Sequence, residues 1–101
     1  MNWIDYDEFL SEQLQDVNFA AGYLEACLDE GEDVFLLGIR NVAMAQGGMK
    51  ALADATHLNR ESLYDMLSEK GNPLFSSVTS VLDKLGIELG FKAKPVGKKA
   101  A

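Results

Sequence analysis

The chain has 101 residues, 48% hydrophobic and 25% charged, with nine Gly and two Pro. That is one domain, with enough apolar material for a core and too much for a disordered chain. A radius of gyration of roughly 13 Å for this size leaves little room for the enclosed cleft of a larger enzyme.

The formal charge is −7, which taken alone argues against a nucleic-acid partner. Its distribution does not. Residues 1–39 hold ten acids and no Lys or Arg, a charge of −10; residues 40–101 hold nine Lys/Arg against six acids, a charge of +3. The two parts are expected to face different partners. Cys27 is the only cysteine and His57 the only histidine. No internal disulfide, thiolate zinc finger, multi-histidine metal site or Ser-His-Asp set is available. Cys27 lies in an apolar repeat and reads as a small core residue, not as a nucleophile for His57. No metal, cofactor or catalytic set is expected. The start Met1-Asn2-Trp3-Ile4-Asp5 lacks the pattern of a signal peptide. The longest apolar-plus-glycine run, Val34 to Ile39, is far short of the ~20 residues a spanning helix needs. The expected setting is a reducing cytoplasm, away from membranes.

Helical spacing runs through most of the chain. From Asp5 to about Gln15, Tyr6, Phe9, Leu10 and Leu14 form one apolar stripe. Asn18 fits the N-cap of the next helix, where Phe19, Tyr23 and Cys27 repeat at four beside Ala20, Leu24 and Leu28. Aromatics at such spacing are expected in the core. Gly31 suits the left-handed residue that ends a helix. Asp33 to Gln46 is apolar on nearly all sides, as the central helix of a bundle is, and Gly47-Gly48 breaks it. Met49 to Thr56 is a short helix with Leu52, Ala53 and Thr56 inward. His57-Leu58-Asn59 makes a tight turn, and Asn59 caps a helix from Arg60 to about Ser68 that buries Leu63, Met66 and Leu67. Gly71-Asn72-Pro73 is a loop. A last helix, roughly Phe75 to Leu85, buries Val78, Val81, Leu82 and Leu85 and stops at Gly86. Ile87, Leu89 and Phe91 then alternate with polar or small residues, the spacing of one short edge strand, which a symmetry mate can pair. Residues 92–101 form a basic tail of low bulk, read as disordered and separate from a helical domain over 1–91. The fold class is all-α, a single bundle of five to six helices with at most that strand.

The informative stretch is 49–68. Two short helices joined by a turn of three or four residues make a helix-turn-helix. Small Ala53 sits where the helices cross, Leu58 plugs the turn, and Leu63 anchors the second helix from below. From Tyr23-Leu24-Glu25-Ala26 through Phe35-Leu36-Leu37, Leu52-Ala53, Leu58-Asn59-Arg60-Glu61-Ser62-Leu63-Tyr64, Gly71-Asn72-Pro73 and Val81-Leu82-Asp83-Lys84-Leu85-Gly86, the chain resembles the short antitoxins of type II addiction modules. These are the HigA-like branch of the lambda-repressor-type helix-turn-helix proteins. The most specific part runs from Asn59-Arg60 to Gly71-Asn72-Pro73. The resemblance implies a protein that neutralises a small basic toxin, usually an RNA-cleaving enzyme, and that represses its own operator as a homodimer. Many members carry Gly in the turn where this chain has His57, a residue that tolerates a left-handed backbone better than a branched one.

In such a motif the second helix lies in the major groove with its first residues toward base edges. Arg60 is then the leading reader, since a guanidinium bonds bidentately to guanine. Ser62 and Tyr64 can add base or phosphate hydrogen bonds, and Glu61 can accept from cytosine N4 while repelling phosphate. Asn59 and the free N–H groups beside it can hold a phosphate oxygen. Lys50 and Lys70 would anchor the flanking backbone. Glu61 and Asp65 also suit a different reading, a protein-interaction module of the same fold that neutralises a partner without sequence-specific DNA binding. The acidic first 39 residues suit a basic partner under either reading.

Overall fold

A computed structural model describes residues 6–95. The chain folds into six helices, α1 (Tyr6–Gln13), α2 (Val17–Glu30), α3 (Glu32–Ala45), α4 (Gly48–Thr56), α5 (Arg60–Met66) and α6 (Phe75–Lys84). The all-α expectation holds, and every expected helix is present with ends moved by one or two residues. No described helix is long and apolar enough to cross a membrane.

The cap of α2 is Asp16, not Asn18. The Asp16 carboxylate accepts the Asn18 backbone N–H at 2.9 Å, and its charge suits the positive end of the helix better than a neutral amide does. Gly31 ends α2 and starts α3 with φ 144° and ψ 163°. That is positive φ, as glycine allows, but not the left-handed helical conformation expected of a helix-ending residue; only one residue separates the two helices, and it must reverse the chain.

α3 is central, packing against α1, α2 and α4 and burying Leu36, Gly38, Ile39, Val42 and Ala43. Against it α2 turns a stripe of Ala20, Leu24 and Cys27. The approach is close. A Cβ added to Gly38 would lie 2.8 Å from Cys27 Sγ and 3.2 Å from Leu24 Cδ2, below the separation that packed interiors tolerate. Large rings do not fit such a contact. This corrects the expectation for the aromatics of α2: Phe19 is 41% exposed, and Tyr23 is half-buried, its hydroxyl accepting from Asn41 Nδ2 at 3.0 Å. On α1, where no residue is fully buried, Tyr6 and Phe9 are 69% and 46% exposed, against the same expectation. Burial pushes the Cys27 thiol and the Tyr23 phenol above their ordinary pKa values, as desolvation of an acid's charged form requires.

The remaining core comes from Leu14, from Met49, Leu52 and Ala53 of α4, from Leu63 and Leu67, and from Val81, Leu82 and Leu85 around α6. Gln46 Nε2 donates to the Leu14 carbonyl at 3.2 Å, tying the end of α3 to the turn after α1. α6 ends on Gly86 at φ 81°. There the Ile87 N–H reaches back to Leu82 O at 2.9 Å and the Gly86 N–H to Asp83 O at 3.0 Å. This pattern stops a helix and directs the next apolar residue inward. Ile87 accordingly packs on the core. Past it, residues 87–95 take neither helix nor strand. This corrects the expected edge strand: a strand needs a neighbouring strand, and all the described elements are helices, so the alternation at Ile87, Leu89 and Phe91 finds no partner among them. Residues 1–5 and the tail from 96 lie outside the described residues.

Candidate nucleic-acid interface

Two short helices and the break between them position the candidate residues. α4 ends at His57, which takes φ 61° and ψ 25° and is the one described residue other than glycine with positive φ. Thr56 Oγ1 donates to Leu52 O at 2.8 Å and accepts the Leu58 N–H at 3.4 Å, closing the turn. Leu58 packs against the core from above. Asn59 then takes an extended conformation and its side chain accepts the Ser62 N–H at 2.9 Å, the N-cap of α5. The stretch is therefore two rods, not one. Leu63 is fully buried beneath α5, and Ala53, 6% exposed, sits on the α4 face turned inward.

The side chains named from the sequence are outside. Lys50, Asn59, Arg60, Glu61, Ser62, Tyr64 and Lys70 are all exposed. Lys50, Asn59, Arg60 and Glu61 meet along one open depression with Ala53, Asp54 and Leu58. Lys70 lies apart, in a second depression with Asp65 and the 71–74 loop. Two assignments gain detail. The Asn59 carbonyl oxygen is committed to capping α5, which leaves its NH₂ to face outward. Lys50 Nζ sits 3.2 Å from Asp54 on its own helix, with both side chains about 70% exposed. Such a pair contributes little to stability and exchanges readily for another anion. Lys50, Arg60 and Lys70 are matched on this surface by Asp54, Glu61 and Asp65, so the field over it is close to neutral.

One residue of this region escaped the sequence reading. Arg40 of α3 donates from Nη2 to the Tyr64 carbonyl at 2.9 Å, and its guanidinium lies 5.1 Å from the Tyr64 ring centroid. The cation thus meets both the face of a ring and the carbonyl-rich end of α5, each favourable for positive charge. It fixes α5 and the Tyr64 ring against α3. The available signal was that Arg40 is the first basic residue of the chain and sits in its most apolar helix.

The result is a small all-α protein that offers a short exposed helix on a packed support, with its candidate residues on an open surface and not in an enclosed cleft. Over residues 5–93 the chain matches the family model of the Probable addiction module antidote proteins, and it belongs to that family. The antidote of an addiction module is an antitoxin, which agrees with the class read from the sequence. No curated protein and no solved structure shows significant similarity to the chain.

Proposed function

We propose that this protein is the antitoxin of a type II toxin–antitoxin module. It neutralises a small basic toxin in the cytoplasm and, as a homodimer, binds its own operator as an autorepressor through a helix-turn-helix at 49–68. Membership of the antidote family supports the first half. The observation that carries the second is the arrangement of α5, whose Arg60, Glu61 and Ser62 are exposed while Leu63, next in line, is fully buried. A rigidly seated helix with polar side chains outward is what entry into a major groove requires. Arg60 reads guanine, Ser62 and Tyr64 add hydrogen bonds, Glu61 faces cytosine, and Lys50, Lys70 and the Asn59 NH₂ hold phosphates. The acids of α1 and α2, among them the exposed Glu8, Glu12 and Glu30, meet the toxin. Attraction at this density acts over about a Debye length, ~8 Å in the cell, so the toxin must lie directly against them.

A second reading has one observation in its favour, the matched cations and acids around α5. On that reading the fold neutralises its partner and leaves DNA alone. Capture of the protein encoded next to this one, with a footprint of the shared promoter, separates the two. The proposal expects a retained toxin and a protected promoter segment. A retained toxin with an unprotected promoter selects the second reading, and neither result removes both.

A further inference from the structure

The segment after α6 forms a rib between two open grooves. On one side Glu88, Leu89, Gly90 and Lys92 border a groove of about 410 Å³ against α2, which includes Leu24 and Leu28. On the other, Leu89, Gly90 and Phe91 border one of about 480 Å³ lined by Leu36, Pro73, Phe75 and Val78. Phe91 is 94% exposed and Phe75 66%, a concentration of apolar surface unusual for a free monomer. Backbone bonding along the rib stops at the Ile87 N–H; residues 88–95 make no backbone hydrogen bond among the described residues. Unpaired backbone with alternating side chains is a template for another strand.

The sequence of the rib is complementary to itself. In an antiparallel pair related by a two-fold axis through Gly90, Leu89 of one copy opposes Phe91 of the other, and Glu88 opposes Lys92, each contact occurring twice. Ile87, Leu89 and Phe91 then share one face, toward the grooves, and Glu88, Gly90, Lys92 and Lys94 the other. Among the described residues neither Glu88 nor Lys92 has an ion-pair partner. We infer that residues 87–93 pair antiparallel with the same segment of a second copy, about an axis through Gly90, and that Phe91 of each copy enters the apolar grooves of the other. The inference rests on the homodimer of the proposed function and assigns its interface.

The test uses the full chain. Sedimentation equilibrium is run on wild type, Phe91→Asp, Glu88→Lys, Lys92→Glu and the double reversal, with circular dichroism to check the helices. Phe91 is exposed, so its replacement should leave them intact. The expected results are a wild-type dimer, dissociation raised more than about 100-fold by Phe91→Asp, roughly 5- to 30-fold by each single reversal, and recovery in the double reversal. A cysteine at position 90 faces its own copy across the axis at disulfide range. A Cβ there meets nothing within 4 Å, and Cys27 is buried. Gly90→Cys should therefore cross-link under mild oxidation and Ala93→Cys should not. A wild-type dimer that survives Phe91→Asp and resists cross-linking at 90 overturns this interface and leaves the homodimer standing. A wild-type chain that stays monomeric at every concentration removes the homodimer as well.

Discussion

The α2–α3 pair and the α4–α5 pair are both helices joined by a tight connection, yet they are built for opposite ends. α2 and α3 have 14 residues each and meet through Ala20, Leu24, Cys27 and Gly38, small or flexible groups that let the backbones approach. α4 and α5 have nine and seven residues and bury Met49, Leu52, Ala53 and Leu63. Their polar side chains point outward. A helix of seven residues has almost no stability of its own, so α5 depends on its cap, on Leu63 and on Arg40 to stay in place. The stability of this protein therefore resides in the first pair and its presentation of side chains in the second.

Substitutions in the two pairs should therefore have different consequences. The largest effect is expected from Ile39→Ala in α3, where a fully buried side chain leaves a cavity costing about 2–5 kcal/mol, read by denaturant unfolding. Gly38→Ala should cost about 1–3 kcal/mol through overpacking. The same change in a Cys27→Ala background should cost less, because the Sγ it meets is gone. In the second pair, Asn59→Ala removes the cap of α5 and should cost ~1 kcal/mol, with the loss confined to amides of α5 in hydrogen exchange. His57→Gly should act in the other direction, raising stability by about 0.5–1 kcal/mol as the strain of a left-handed histidine is relieved. The smallest effect is the pH dependence of the first pair. The Cys27 thiol has a raised pKa in the fold, so the unfolded chain ionises first. Stability is unaffected below the ordinary thiol range, about 8.5, and falls as pH rises through it and on through the raised value. Thermal melts between neutral and alkaline pH, with Cys27→Ala as control, read that fall.

The helices were legible because apolar residues recur at helical spacing, and the left-handed His57 and the Asn59 cap were legible because short polar residues sat where a turn demanded them. What escaped depended on distances between residues far apart in sequence. Phe19 and Tyr23 have the same periodicity as Ala20, Leu24 and Cys27, and only the approach of Gly38 decides that the smaller set faces inward. Asp16 and Asn18 are both good caps two positions apart, and the chain path after α1 selects the first. Arg40 and Tyr64 are 24 residues apart, so nothing local announced their contact. The alternation at 87–91 has the spacing of a strand, yet no strand forms there, because the described elements are all helices and offer none to pair with. The exposure of the candidate DNA contacts followed from a single inference, that Leu63 faces the core.

Arg60 is the proposed base reader, held on a packed support. Affinity for the promoter segment and for base-substituted variants should be measured against salt for wild type and Arg60→Ala, with unfolding curves for both. With at most three cations per copy, the log–log salt slope of a dimer should be no steeper than about −5. Arg60→Ala should leave stability within about 0.5 kcal/mol and remove about 1–3 kcal/mol of discrimination at one base pair. An Arg60→Ala protein as stable as wild type that distinguishes the variants equally well would contradict the claim.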